Sequence, residues 1–147
     1  MDVKIEVLLE EDEKFSSYLH EKIKEYNNEH SIHHKEVRKK EAVQPINIIV
    51  SDLDGVCIGG LHADVYWDWV EINDLWFCKE YRGRGLGSTI LNKAEKTAKE
   101  KGAKKALLTT FEFQARAFYE SKGYEIVGEV KDYPPGSSFY TMVKTLL

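Results

Sequence analysis

The sequence predicts one mixed α/β layer domain spanning residues 1–147. Three observations carry that expectation. Apolar runs with strand periodicity alternate with stretches of helical periodicity. A glycine-rich loop sits where one strand runs into a helix. The length of 147 residues suits a single hydrophobic core. The order read along the chain is strand, one or two helices, three strands, helix, strand, helix, two strands, which describes a layered α/β sheet.

Residues 3–9, VKIEVLL, alternate and read as the first strand. From Glu10 to about Glu29, Phe15, Leu19, Ile23 and Tyr26 recur at spacings of four, four and three, which is one face of a helix. The polar stretch 30–44 suits a second short helix. Residues 45–51, 56–67 and 69–78 are three strands close in sequence. In the third, Val70 and Ile72 share one phase while Leu75 and Phe77 share the other. A one-residue slip at Asn73-Asp74 would bring all four to one face, as a β-bulge does. The basic loop 79–88, KEYRGRGLGS, opens a helix running to about Lys101, with Leu91, Ala94 and Ala98 on one face and Gly102 as its stop. Residues 104–111 form a strand, 113–123 a short helix, and YEIVGEV and SSFYTMVKTL two last strands around the turn DYPPG.

Composition narrows the function. The chain is 42% hydrophobic and 31% charged, and no apolar run approaches the roughly 20 residues of a membrane helix. The acidic start lacks a signal-peptide layout, so the cytoplasm is the expected location and no membrane partner is expected. A net charge of −4 disfavours nucleic acid as a partner. Cys57 and Cys78 have no spacing that suggests a metal site or a disulfide, and read as free, mostly buried thiols. His30, His33 and His34 are loosely spaced with no accompanying carboxylate set, so no metal is expected.

One motif invites a different chemistry. The run IIVSDLDGV, residues 48–56, resembles the nucleophile loop of haloacid dehalogenase phosphatases. But Asp-Gly between two strands close in sequence is a hairpin signal. No downstream acidic pair for Mg²⁺ follows. Asp52 and Asp54 are therefore expected to be turn residues.

The loop 82–88 carries the chemistry. A strand enters it, Gly83, Gly85 and Gly87 punctuate it, and a helix leaves it. Such a helix start offers unpaired N–H groups and partial positive charge, and glycines let an anion approach the backbone. Arg82 and Arg84 add charge. This is a pyrophosphate cradle. It is no Walker loop, which would end Gly-Lys-Ser/Thr. It is also a poor dinucleotide fingerprint, because Ser88 stands where the third glycine belongs.

The segment resembles motif A of the GNAT superfamily of N-acetyltransferases, Arg/Gln-x-x-Gly-x-Gly/Ala, here Arg82, Gly85 and Gly87. FQARAFYESKGYEIVG, residues 113–128, resembles that family's motif B. The departures are Ser121-Lys122, Tyr124 in place of Phe, and Glu112 about where an Asn often stands. The resemblance implies a GNAT-type mixed sheet of about six to seven strands with flanking helices, in the order β-α(α)-β-β-β-α-β-α-β-β. It also implies acetyl-CoA as co-substrate. The phosphates would be held by Arg82, Gly83, Arg84, Gly85, Leu86, Gly87 and Ser88, and the pantetheine arm by the backbone of Leu75, Trp76 and Phe77.

Acetyl transfer to an amine needs a base, an oxyanion donor, a proton for the leaving thiolate and alignment. By the same resemblance, Glu71, eleven residues ahead of Arg82, would be the base, with Asp74 and Asp68 in reserve. The backbone N–H near Phe77 would meet the oxyanion, and Tyr119 would serve the thiolate. No paired base near Cys78 favours an acyl-enzyme route. The acceptor would be a primary amine on a small molecule or a peptide. VYWDWVE, residues 65–71, brings aromatic and acidic groups that suit a cation. A homodimer is compatible with all of this. The rival reading is a non-catalytic acyl-CoA sensor, which would keep the loop but need neither Glu71 nor Tyr119.

Overall fold

Residues 3–9, expected as a strand, carry no regular structure in the computed structural model, which describes residues 2–147. Alternation supplies a strand with two faces but not with a ladder, and this segment pairs with no other strand. The chain divides into two compact units, one ending at Lys39 and one beginning at Lys40.

The first unit holds two helices, α1 (Glu13–His30) and α2 (Ile32–Val37). Asp12 starts α1, its Oδ1 accepting the Phe15 N–H at 2.9 Å. Ser31 ends α1 and starts α2. Its backbone N–H donates to the Asn27 carbonyl, and its hydroxyl oxygen accepts the His34 N–H.

The second unit is a six-stranded mixed sheet, as expected for the GNAT-type fold. The strands are β1 (Gln44–Ser51), β2 (Cys57–Tyr66), β3 (Trp69–Phe77), β4 (Lys105–Phe111), β5 (Glu125–Lys131) and β6 (Ser138–Thr145). Their spatial order is β1-β2-β3-β4-β6-β5, antiparallel except for the β3–β4 pair. Helices α3 (Leu86–Glu100) and α4 (Arg116–Ser121) come from the second half of the chain.

The β1–β2 connection settles the DLDG motif as a turn. Asp52 Oδ1 accepts the N–H groups of Asp54 and Val56, each at 2.9 Å, and the Gly55 N–H donates to the Asp52 carbonyl. Both Asp52 carboxylate and backbone are spent on the reversal. Cys57, just beyond the turn, is exposed, which corrects the expectation of a buried thiol; Cys78 is half-buried. Strand ends beside a hairpin turn project past the packed layers, so an apolar neighbourhood in sequence did not mean burial there.

The phase slip in β3 is real. His62 faces Asp74 and Ala63 faces Ile72, so Asn73 is the extra residue. Val70, Ile72 and Phe77 thereby share the core face with the half-buried Leu75. The core fills the space between this face and α3, whose Ile90, Leu91, Ala94 and Ala98 are buried. Leu91, Met142 and Val70 are fully buried. Each such side chain contributes about 1.5–3 kcal/mol through burial.

Motif B explains its own departure from the family pattern. The Tyr124 hydroxyl donates to Glu95 Oε2 at 2.9 Å, and Lys144 Nζ donates to Glu95 Oε1 at 2.7 Å. Glu95 is buried on α3, so its carboxylate needs both donors. A phenylalanine would supply packing without the hydroxyl.

α4 is shorter than the expected 113–123. Gln114 Oε1 accepts the Phe111 N–H at 3.0 Å, and the Glu112 N–H donates to the Ser138 carbonyl. These bonds hold residues 112–115 as a turn and delay the helix to Arg116.

Candidate active site

The site begins where two parallel strands part. β3 and β4 pair only at Trp69–Lys105, Val70–Ala106 and Glu71–Leu107. Beyond Glu71 the bulge at Asn73 turns β3 away, and β4 continues beside β6 instead. The backbone of Leu75, Trp76 and Phe77 is thus released from β4 on that edge, and polar backbone groups so released need a partner.

A cleft of about 780 Å³ fills the opening. Its walls include Leu75, Trp76 and Phe77 from β3, and Arg82, Gly83, Gly85, Leu86, Gly87 and Ser88 from the loop and first turn of α3. Tyr119 lies on the α4 side. Ten of the residues expected from sequence therefore converge on one cavity. Two do not line it: Arg84 and Glu71. Arg84 instead lies over the Tyr81 ring at 5.5 Å.

The loop suits an anion for a backbone reason. Gly85 is the residue that starts α3, in the left-handed region at φ 81°, and it brings no side chain to cap the helix. A Cβ on Gly83 or Gly85 would meet nothing within 4 Å, so the backbone there is open. The N–H groups of the first turn, from Leu86 on, have no intrahelical acceptor. Together with the positive end of the helix dipole, they make a surface chemically suited to phosphate oxygens. Gly87 lies against the Phe118 ring, where a Cβ would stand 3.4 Å away.

Arg82 does two jobs. Its Nε donates to the Phe77 carbonyl at 2.9 Å, tying loop to strand. The remaining guanidinium donors keep their charge for an anion. On the other side of β3, a Cβ on Gly59 would collide with the Trp76 carbonyl and the Phe77 Cα, so β2 can press close against this strand end only with glycine there.

Tyr119 is buried, ringed by Phe118 and Tyr124 at 5.2 and 5.6 Å. Burial pushes its hydroxyl pKa up, so it stays a proton donor across neutral pH. Glu71 is half-buried and stands between the buried Val70 and Ile72, hence on the other face of the strand. The Tyr66 hydroxyl donates to its Oε2 at 2.8 Å. Asp64 is its direct cross-strand neighbour.

Sequence reasoning named Tyr66 only within the aromatic stretch 65–71, and gave no site role to Tyr81, Phe113, Gln114, Ala115 or Phe118, which line the cleft. The residues FEFQA ahead of α4 carried the signal, since a run of aromatics in a turn points to a lined cavity. Glu112, at the position compared with the family's Asn, does not line the cleft. Arg116 grips it through bonds of 2.7 and 3.0 Å, which holds its carboxyl below the usual range. Gln114 lines the cleft in its place. Among the described residues, no three His, Cys, Asp or Glu side chains are grouped to hold a metal ion.

This geometry is that of an acetyltransferase, and the chain belongs to the Acetyltransferase (GNAT) family, whose sequence model matches residues 8–124. It is an N-acetyltransferase of that type. It is 39% identical to the blasticidin-S acetyltransferase of Streptomyces morookaense over 93 residues, 63% of this chain and 68% of the relative. It is similar in structure to an acetyltransferase from Bacillus cereus, with TM-score 0.79 and 29% identity over 96% of this chain and 98% of the other. The fold also matches that of PaiA N-acetyltransferase from Thermoplasma acidophilum in complex with coenzyme A, with TM-score 0.54 and 21% identity over 93% and 80% of the two chains.

Proposed function

We propose that the chain, as one domain over residues 1–147, moves an acetyl group from acetyl-CoA directly to a primary amine of a small molecule within a ternary complex. The observation that carries this reading is the cleft at the β3–β4 parting, which gathers Leu75–Phe77, the Arg82–Ser88 loop and Tyr119. The loop and α3 start hold the phosphates. The freed β3 backbone orients the pantetheine arm, as one more strand would be held.

At the reacting end, Glu71 takes the proton from the amine, directly or through a water. The backbone N–H near Phe77 donates to the developing oxyanion. Tyr119, kept protonated by burial, donates to the leaving sulfur. Asp64 and Glu71, opposed across β2 and β3, favour an ammonium at that face. The blasticidin-S acetyltransferase relative supports a small-molecule acceptor over a peptide. The free thiols Cys57 and Cys78 suit a reducing, cytoplasmic setting.

Acetyl-CoA and a panel of small amines, followed by thiol release and product mass, test the proposal. Thiol release that needs both substrates, with acetylated amine as product, supports it. Acetyl-CoA cleavage that leaves acetylated protein at Cys78 before any amine is added would replace the ternary complex with an acyl-enzyme route.

A further inference from the structure

The β2–β3 hairpin reverses through Trp67 and Asp68, both with positive φ, 51° and 64°. Neither is glycine, and a bulky residue such as Trp in this region is costly. Backbone strain of this kind persists where the surroundings over-determine it, and it concentrates at functional sites. Contacts on both turn residues brace the reversal. The Lys104 N–H donates to the Asp68 carbonyl at 2.7 Å, and the Trp67 ring meets Tyr66 edge-on at 5.1 Å.

The reversal fixes the register of the two strands. Tyr66 pairs with Trp69, and Asp64 with Glu71. Tyr66 and Glu71 are then diagonal neighbours on one face, close enough for the 2.8 Å bond from the hydroxyl to Oε2. Glu71 occupies the last rung on which β3 still pairs with β4. So a tyrosine grips the carboxylate of the residue at which β3 and β4 part.

We propose that Tyr66 is the positioning residue of the catalytic base: its hydroxyl holds Oε2 of Glu71 and presents Oε1 to the amine. The inference rests on the reading of Glu71 as the base. Tyr66 is suited to the task because it remains a donor. Burial first, and then the bond to Glu71, push its pKa up to about 12. The opposing carboxylate of Asp64 has a donor of its own, Asn73 Nδ2 at 3.0 Å, and His62 Nε2 stands 3.7 Å from it. Other ionisable groups brought to this face are His62 and Asp64 on β2, Asp74 on β3 opposite His62, and Lys105 on β4, whose Nζ lies 5.5 Å over the Trp69 ring. Among the described residues, Tyr66 is observed to bond Glu71.

The test is a double-mutant cycle of Tyr66→Phe and Glu71→Gln in the full chain, with pH–kcat profiles for each. Tyr66→Phe should lower kcat roughly tenfold near pH 7. It should also move the acidic limb upward, because a carboxylate that loses a donor takes up its proton more readily. KM for acetyl-CoA should stay unchanged. In the Glu71→Gln background, Tyr66→Phe should cost nothing more. An equal loss in both backgrounds, or an unmoved acidic limb, would make Tyr66 merely structural and overturn the proposal. If Glu71→Gln itself were silent, the base assignment would fall, and the Tyr66 role with it. A severe Glu71→Gln beside a silent Tyr66→Phe would overturn the Tyr66 role alone.

Discussion

The Arg82 side chain donates through Nε to the carbonyl of Phe77 at 2.9 Å, so the residue that opens the glycine-rich loop also fastens the strand that frames the cleft. Charge and geometry are joined in one guanidinium. Lysine could keep the charge but has no second donor fixed in the same plane. Arg82→Ala should weaken acetyl-CoA binding by at least about tenfold, and Arg82→Lys should recover only part of the loss. Calorimetric titration of both variants measures this. A lysine variant that binds as wild type would show that charge alone matters.

Tyr119 is held in the core beside the cleft with its proton retained. A CoA thiolate is already a fair leaving group, so Tyr119→Phe should lower kcat by roughly tenfold to a hundredfold and leave acetyl-CoA affinity within about 1 kcal/mol. Steady-state rates at saturating acetyl-CoA check the first part, and titration the second.

Much of this site was legible in the sequence. The Arg82–Ser88 loop could be read because its glycines and following helix are local features. The slip at Asn73 could be read because the buried face of a strand must keep its phase, and a phase error leaves a mark. What was not legible depends on pairing between distant segments. Residues 3–9 alternate like a strand but find no ladder. Gln114, rather than Glu112, reaches the cleft because it caps the end of β4, which no spacing rule predicts. The grip of Tyr66 on Glu71 appears only once the hairpin sets which residues are diagonal.

Four tyrosines tie stability to alkaline pH. Burial, with Glu71 adding to it, pushes Tyr66 up to about 12; burial, with Glu95 adding to it, pushes Tyr124 up; burial pushes Tyr119 up. In Tyr140 the bond to Glu112 comes first, with burial adding to it, and the pKa again goes up. Unfolded tyrosines ionise near 10. The unfolded state therefore loses these protons first, and stability present below about pH 10 declines as pH rises toward 12. Thermal melts from pH 8 to 12 should show that fall, and it should be shallower in Tyr66→Phe.

Tyr124→Phe should destabilise the protein by about 1.5–3 kcal/mol, since the buried Glu95 carboxylate loses one of its two donors. Urea denaturation measures the change. A neutral outcome would mean that water replaces the hydroxyl.

The most direct measurement is acetyl-CoA titration of the wild-type chain and of Gly85→Val. Gly85 stands at φ 81° at the start of α3, with open space where a Cβ would be. A β-branched side chain there strains the loop and covers the phosphate cradle. The wild type should bind one acetyl-CoA and gain thermal stability as RT ln(1 + [L]/Kd), about 2.7 kcal/mol at a hundredfold excess over Kd. Gly85→Val, still folded by its own cooperative melt, should show neither heat of binding nor thermal shift. Equal binding by the two proteins would contradict the assignment of the β3–β4 cleft and its loop as the acetyl-CoA site.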